Sequence, residues 1–195
     1  MTKIATPSEV RDYWLKELTP KDWYIASDVV DREITRRFLT TWQAARDAKC
    51  HDWLLTPEDL LSFIILCDQF SRNMFRGQAA AFATDGMCLT ATARAIEKGW
   101  DFQVAEPERQ FIYMPLMHSE KLADQDLAIE LFSTRMPETG ALSHDHTLAH
   151  RYVIEEFGRF PYRNAALGRE TTPEEQEFLD AGGYGFAVRH IQANK

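Results

Sequence analysis

One run of apolar residues in the first half of the chain constrains the fold most. Residues 60–67 read LLSFIILC, so a helix through them is apolar on nearly every side. A helix of this kind is stable in water only when other helices surround it. We therefore predict an all-α protein in which this segment is the central helix.

Three helix starts are marked by the same local pattern. Thr6, Thr56 and Thr172 each precede a proline, and an acid stands three residues after each threonine. The hydroxyl and the acid satisfy the first backbone N–H groups of a helix, and proline fits its first turn. With the apolar periodicity, this predicts about eight helices, at residues 7–18, 27–48, 57–75, 78–98, 107–117, 119–135, 142–157 and 173–181.

Length and charge limit the organisation and the partners of the chain. Its 195 residues suit one helical domain over 1–195, with a core at about 8–181 and a C-terminal tail at 182–195. The net charge of −8 and the isoelectric point near 5.3 argue against nucleic-acid binding, which needs a surplus of Lys and Arg. A local basic site is compatible with this charge.

Cysteine usage and hydropathy favour a cytoplasmic protein. Cys50, Cys67 and Cys88 are odd in number and form no C-x-x-C motif, which fits a reducing compartment. The first ten residues lack an apolar signal region, and the longest apolar run, Phe63 to Cys67, is too short to cross a bilayer. We expect a soluble protein with no membrane partner.

The first candidate site follows the apolar run directly. Asp68, Arg72 and Arg76 are spaced at i, i+4 and i+8, and Gln69 and Asn73 are also four residues apart, so each set lies along one side of a helix. One interpretation is a site for an anion or polar ligand, with guanidinium groups fixed by a carboxylate. The other is an ion pair that ties the helix to a loop.

The second candidate site surrounds a proline within an apolar segment. Pro115 should kink or break the helix just before His118 and Glu120. His118 could then act as a general base with Glu120 as its orienting partner, or form an acid–base pair with Glu120 or Asp68, and these three are the catalytic candidates. The alternative is that Ser119 or Glu120 caps the next helix.

The third candidate site is an arginine-rich and aromatic segment at 157–169. It has no periodicity and is interrupted by Gly and Pro, so we predict a structured loop. Its aromatic residues should anchor it to the core. Arg159, Arg163 and Arg169, with Asn164, would then donate hydrogen bonds to carboxylates or to a ligand.

A histidine cluster suggests a metal site, but weakly. His146 and His150 share a helix face, and His144 stands close by. The zinc motif H-E-x-x-H requires Glu after the first histidine, where this chain has Thr147, and no further ligand lies at suitable spacing. We predict no metal site, and since nucleotide and nucleophile motifs are also absent from the sequence, no cofactor.

Five motifs together resemble a mainly bacterial family known as domain of unknown function 924. They are Asp68-Gln-Phe-x-Arg-Asn73, Phe82-Ala-Thr-Asp85, Pro115-Leu-Met-His-Ser-Glu120, Phe157-Gly-Arg-Phe-Pro-x-Arg-Asn164 and Leu167-Gly-Arg169. The resemblance runs from about residue 8 to about residue 180.

The resemblance implies an all-helical fold similar to tetratricopeptide-like αα superhelices, which serve mostly for binding, and implies no particular activity. Members similar to this chain tend to have His where Tyr162 stands. Tyrosine could donate a hydrogen bond there but could not act as a base near neutral pH.

Three hypotheses about function follow. The first is a binding module whose cleft takes a small anionic molecule or an acidic peptide. The second is a hydrolase that uses His118 with Glu120 or Asp68, and the third is an internal polar network without a ligand. The expected binding residues are Asp68, Gln69, Arg72, Asn73, Arg76, His118, Glu120, Arg159, Arg163 and Asn164. The sequence does not indicate an oligomeric state.

Overall fold

The computed structural model describes residues 3–194, and within this range the secondary structure is entirely helical. The predicted all-α class is confirmed. Packing divides the chain into two compact units, one up to Pro115 and the other from Leu116 onward.

The first unit is built from helices that turns and irregular segments connect. The helices are α1 (Pro7–Asp12, with a π-helical continuation at Tyr13–Glu17), α2 (Pro20–Tyr24), α3 (Asp28–Arg46), α4 (Pro57–Ile64, Ile65–Phe70 and Ser71–Met74 in succession), α5 (Asp85–Glu97) and α6 (Gln110–Met117), which contains the boundary. Single 3-10 turns occur at His51–Leu54, Ala79–Phe82 and Asp101–Gln103.

Helix α4 is the centre of the first unit, as predicted. Every residue from Leu60 to Ser71 is buried, and α1, α3 and α5 pack against the helix. Aromatic rings complete this core. Phe70 of α4 lies 5.5 Å from Trp14 and 4.9 Å from Phe38 between ring centroids.

The second unit is organised around one long helix. Its elements are α7 (Leu122–Arg135), α8 (Gly140–Phe157), a 3-10 turn at Pro161–Arg163, α9 (Asn164–Leu167), α10 (Pro173–Asp180) and α11 (Tyr184–Ala193). Helix α8 packs against both α7 and α11. A core of buried apolar residues holds these elements together: Ala149, Val153, Ile154, Phe160, Phe178 and Ala187.

The three predicted helix starts are confirmed, and so is the end of the helix predicted at 142–157. The hydroxyls of Thr6, Thr56 and Thr172 each accept a hydrogen bond from the backbone N–H three residues on. Gly158 ends α8 with φ of +64°, a left-handed conformation that costs glycine little. These helix ends are therefore determined by residues that are close in the chain.

Several predicted boundaries differ from the structure. The predicted helix at 78–98 begins only at Asp85, because a 3-10 turn at Ala79–Phe82 precedes it. Helix α2 was not predicted. The predicted tail at 182–195 contains α11, where Ala187 is buried against the rest of the unit. Helix α2 carries the same capping pattern as the predicted starts, since Thr19 precedes Pro20 and its backbone N–H donates to the Asp22 carboxylate at 2.8 Å. Helix α11 has no such cap and depends on the packing of its apolar face.

Pro115 shapes the end of α6 in the predicted way. It lies inside the helix, which continues for two residues and ends at Met117. His118 and Glu120 therefore lie in the irregular segment between α6 and α7. Among the described residues, no helix is both long and apolar enough to span a membrane.

Candidate functional site

The end of α4 carries an arginine that is held by two carboxylates. Nη1 of Arg72 donates to the backbone carbonyl of Asp68 at 2.7 Å and lies 3.1 Å from its carboxylate. Nη1 and Nη2 each donate to one carboxylate oxygen of Asp85 at 3.2 Å. Burial works to lower the pKa of Arg72, but Asp68 and Asp85 outweigh it and raise the pKa. Arg72 is therefore a permanent cation committed to an internal ion-pair network.

The remaining polar residues of this segment are also engaged. The side-chain amide of Asn73 donates to Asp31 at 2.7 Å, and Arg76 forms a two-pronged pair with the same carboxylate. The amide of Gln69 donates to Asp68 at 2.5 Å. Because Asp31 belongs to α3, these contacts fix the end of α4 to α3, which supports a structural role for them.

A π-helical turn lies where the buried part of α4 meets this network. Ile65–Phe70 forms the turn, and Asp68 and Gln69 are both part of it. Such widened turns often occur at functional sites, because they redirect side chains within a helix. The sequence pattern contains no signal for this turn, since the apolar run is compatible with an ordinary α-helix.

In the second unit, Glu120 anchors the arginine-rich segment. Its carboxylate receives Nη1 and Nη2 of Arg169 at 2.8 and 3.0 Å, and the backbone N–H of Phe160 at 2.9 Å. Burial raises the pKa of Glu120, but these donors outweigh it and lower the pKa. Glu120 therefore holds the segment in place as a carboxylate.

Glu175 is a second anchor for the same segment. Nε and Nη2 of Arg159 donate to its two oxygens at 2.6 and 2.8 Å, and the side-chain amide of Asn164 donates at 3.0 Å. Its carboxylate also accepts the backbone N–H of Thr172 at 2.9 Å. Chiefly because of the Arg159 hydrogen bonds, the pKa of Glu175 falls to about 2. Arg159 and Arg169 thus donate to carboxylates, which is one of the two kinds of partner predicted for the arginines of this segment.

An open pocket of about 600 Å³ lies beside these two anchors. Its lining residues are Arg159, Arg169, Glu170, Thr171, Thr172 and Pro173. Both arginines already hold carboxylates, so the pocket offers little uncompensated charge.

A cluster of imidazole and aromatic rings forms the other polar feature of the second unit. The rings of His118 and His150 lie 6.0 Å apart, and His150 is 4.7 Å from Tyr184 and 5.5 Å from Phe160. The guanidinium carbon of Arg163 lies 4.4 Å from the centre of the Phe160 ring, and Nη2 donates to the carbonyl of His118 at 3.0 Å. We call these five residues the imidazole cluster.

Two further residues border the imidazole cluster. The ring of Tyr162 stacks on Phe160 at 5.3 Å and meets Tyr184 edge-on at 6.4 Å. His146 shares a 2.6 Å hydrogen bond with the Tyr184 hydroxyl. Tyr162, the position at which the resemblance implies His in similar chains, therefore lies beside the imidazole cluster.

His150 is kept neutral by its surroundings. Burial lowers its pKa most, the charge of His118 adds to the effect, and Arg163 contributes as well, so that the pKa is about 3. The ring is therefore an uncharged imidazole at neutral pH, with one nitrogen able to accept a hydrogen bond.

The structure places the ten predicted site residues in the two units as follows. Asp68, Gln69, Arg72, Asn73 and Arg76 belong to the first unit, and His118, Glu120, Arg159, Arg163 and Asn164 belong to the second. Of the latter five, His118 and Arg163 belong to the imidazole cluster, and the other three belong to the Glu120 and Glu175 anchors.

Sequence reasoning did not select His150 and Tyr184 as site residues. The i, i+4 spacing of His146 and His150 was a usable signal, but we interpreted it only in terms of metal binding. Residues 3–194 contain no group of three or more His, Cys, Asp or Glu side chains arranged to hold a metal ion. The position of Tyr184 on α11 depends on tertiary packing, which no local pattern indicates.

Comparison with known proteins identifies the family. The model of the bacterial family of unknown function DUF924 matches residues 10–183, so the chain belongs to this family. A solved structure of a protein of unknown function from Agrobacterium tumefaciens is similar, with 38% sequence identity and a TM-score of 0.83, over 90% of this chain and 97% of that one. Among curated proteins, none matches the chain significantly.

Proposed function

We propose that the protein is a binding module for a small anionic ligand, which the imidazole cluster of the second unit recognises. The observation that carries the proposal is that the His150 ring lies beside the rings of His118, Phe160 and Tyr184, and that the Arg163 guanidinium lies over the same Phe160 ring. A few polar groups that converge beside aromatic walls are typical of ligand sites.

Three arginines outside the imidazole cluster are disfavoured as anion sites by the ion pairs that they already form. Arg72, Arg159 and Arg169 each form a bidentate pair with a carboxylate. An anion that bound to any of them would compete with an internal carboxylate. The guanidinium of Arg163 lies over the Phe160 ring that the His150 imidazole also contacts, and planar guanidinium donors suit an oxyanion.

A hydrolase that uses His118 with Glu120 is the alternative. Both oxygens of Glu120 are held by Arg169, and one also accepts the N–H of Phe160. This arrangement favours an anchoring role for Glu120 over that of an orienting partner for a histidine base. It therefore favours binding over hydrolysis.

We also propose a cytoplasmic location and a tetratricopeptide-like arrangement of the helices. The three cysteines are buried and free, which supports a cytoplasmic location. The packing of α8 against α7 and α11 supports a tetratricopeptide-like helical arrangement, in which a cleft for the ligand would form.

Titration calorimetry with phosphate, citrate and malate tests the proposal. An acetylated peptide with an acidic C-terminus serves as a separate arm, since its carboxylate offers the same chemistry. We expect at least one small anion to bind, and Arg163→Gln to weaken its affinity about tenfold or more, the scale of a lost charged hydrogen bond.

Arg151→Gln is the matched control, because Arg151 is an arginine of α8 that pairs with Asp126 and Glu155 at the surface. Its affinity for the anion should equal that of the wild type. His118→Asn is a second test variant, for use if Arg163→Gln does not fold by circular dichroism. Absence of binding to every small anion, or unchanged binding by both test variants, would overturn the proposal, and binding of the peptide alone would redirect it to a protein partner.

A further inference from the structure

The tautomer of His150 is fixed by a backbone contact. Its Nδ1 lies 2.9 Å from the carbonyl oxygen of His146, and since a carbonyl oxygen can only accept, Nδ1 must carry the hydrogen. In a neutral ring, Nε2 is then the nitrogen with the lone pair. Among the described residues, Nδ1 is the only nitrogen of this ring that is engaged in a hydrogen bond.

The surroundings of the ring preserve this state near neutral pH. His118 lies in the segment between α6 and α7, Arg163 in the 3-10 turn after α8, and His146 one turn earlier on α8 itself; the charges of all three oppose protonation of His150. On α11, the Tyr184 ring is 4.7 Å away, and its hydroxyl is bonded to His146. On α7, Asp126 is paired with Arg151. His150 therefore presents an acceptor and not a donor.

A ligand group that meets Nε2 of His150 must donate a hydrogen bond, which restricts the chemistry of the ligand. We propose that the imidazole cluster selects an anion that also carries a hydroxyl group, a hydroxycarboxylate. The carboxylate accepts hydrogen bonds from Arg163, and the hydroxyl donates its hydrogen to Nε2 of His150. This inference rests on the proposed function and adds the chemical class of the ligand.

A hydroxyl group is favoured over an ammonium group and over a ligand that has no donor. A ligand ammonium group would be repelled by Arg163, whose guanidinium lies on the same Phe160 ring that contacts His150. A carboxylate without a donor would cover Nε2 and leave its lone pair without a partner, and an unsatisfied buried acceptor weakens binding. Sites built for a substrate hydroxyl reject the analogue that lacks it for this reason.

The test compares malate with succinate, which differ by one hydroxyl group. We expect the wild type to bind malate about tenfold or more tightly than succinate, the scale of one unsatisfied hydrogen-bonding group. In His150→Phe, succinate affinity should change little, and the ratio should fall close to one. His190→Phe is the matched control, since the His190 ring stacks on Tyr152 and on Phe186, which are outside the imidazole cluster, and it should keep the wild-type ratio.

Nitrogen NMR of the labelled wild-type protein gives a second readout that does not depend on the variant folding. The Nε2 resonance of His150 should shift on addition of malate, towards the value of a hydrogen-bonded neutral imidazole, and should not move with succinate. If malate and succinate bind equally well and Nε2 responds to neither, the inference is wrong while the proposed function stands. If no small anion binds, the proposed function is wrong, and the inference is wrong with it.

Discussion

The guanidinium of Arg159 forms a bidentate pair with the carboxylate of Glu175, at 2.6 and 2.8 Å, and only 3% of the Glu175 side chain is exposed. The same carboxylate accepts the amide of Asn164 and the backbone N–H of Thr172. One acid thus joins the segment after α8 to the start of α10. Arg159 and Asn164 belong to the motif Phe157-Gly-Arg-Phe-Pro-x-Arg-Asn164, which carries part of the resemblance to the family. Their contacts with Glu175 give a physical reason for both residues.

Glu175→Gln should lower the free energy of unfolding by about 2 kcal/mol, because an amide cannot match the charged hydrogen bonds of the carboxylate. Urea denaturation measures the change. Glu177→Gln is the control, since Glu177 is exposed on the same helix, and its effect should stay within about 0.5 kcal/mol. Equal effects of both substitutions would contradict an anchoring role for Glu175.

Sequence reasoning reached the fold because the decisive signals were local. The apolar run ending at Cys67 and the threonine caps act through neighbouring residues, and they produced the central helix and the helix starts. The candidate site was harder to predict because its pairs are distant in the chain. Arg169 lies 49 residues from Glu120, and nothing in the sequence assigns one to the other.

Gly140→Ala should destabilise the protein through a backbone clash. A Cβ atom at Gly140 would stand 2.0 Å from the carbonyl oxygen of Phe132, so α7 and α8 would have to move apart. We expect a loss of about 1–3 kcal/mol, the scale of overpacking, visible as a lower melting temperature. Gly86→Ala is the control, since nothing lies within 4 Å of the added atom; it should be neutral or slightly stabilising, and equal losses at both positions would refute the clash.

Arg72→Lys should destabilise the first unit, although the charge is kept. Lysine cannot reproduce the two parallel hydrogen bonds to Asp85 or the contact with Asp68. We expect a loss of about 1–3 kcal/mol. Arg36→Lys changes an exposed pair with Glu33 and should leave the free energy of unfolding essentially unchanged, because solvent screens such a pair. Chemical denaturation of both variants decides the matter, and a neutral Arg72→Lys would show that the bidentate geometry is unimportant.

Stability should depend on pH through His150. Its pKa is about 3 in the folded protein and 6.5 when exposed, so the unfolded chain binds the proton first as the pH falls. The contribution of His150 is therefore fully present above about pH 6.5 and is lost progressively towards pH 3, with a slope of at most about 1.4 kcal/mol per pH unit. Denaturation between pH 7.5 and pH 5 should give a flatter profile for His150→Gln than for the wild type, and parallel profiles would contradict the shifted pKa.

The three cysteines should be unreactive until the protein unfolds. Cys50, Cys67 and Cys88 are all buried, and burial raises the pKa of Cys50 to about 11 and that of Cys88 well above its usual value. The thiolate is the nucleophile, so a high pKa and a lack of access both slow its reaction with an aromatic disulfide reagent. Reaction of all three thiols should therefore follow global unfolding, and its rate should rise with urea in parallel with the unfolded fraction. Arg72→Lys, which lies in the same unit as the cysteines, should speed labelling through its lower stability while Arg36→Lys does not, and rapid labelling of the native wild type would show that a thiol is accessible without unfolding.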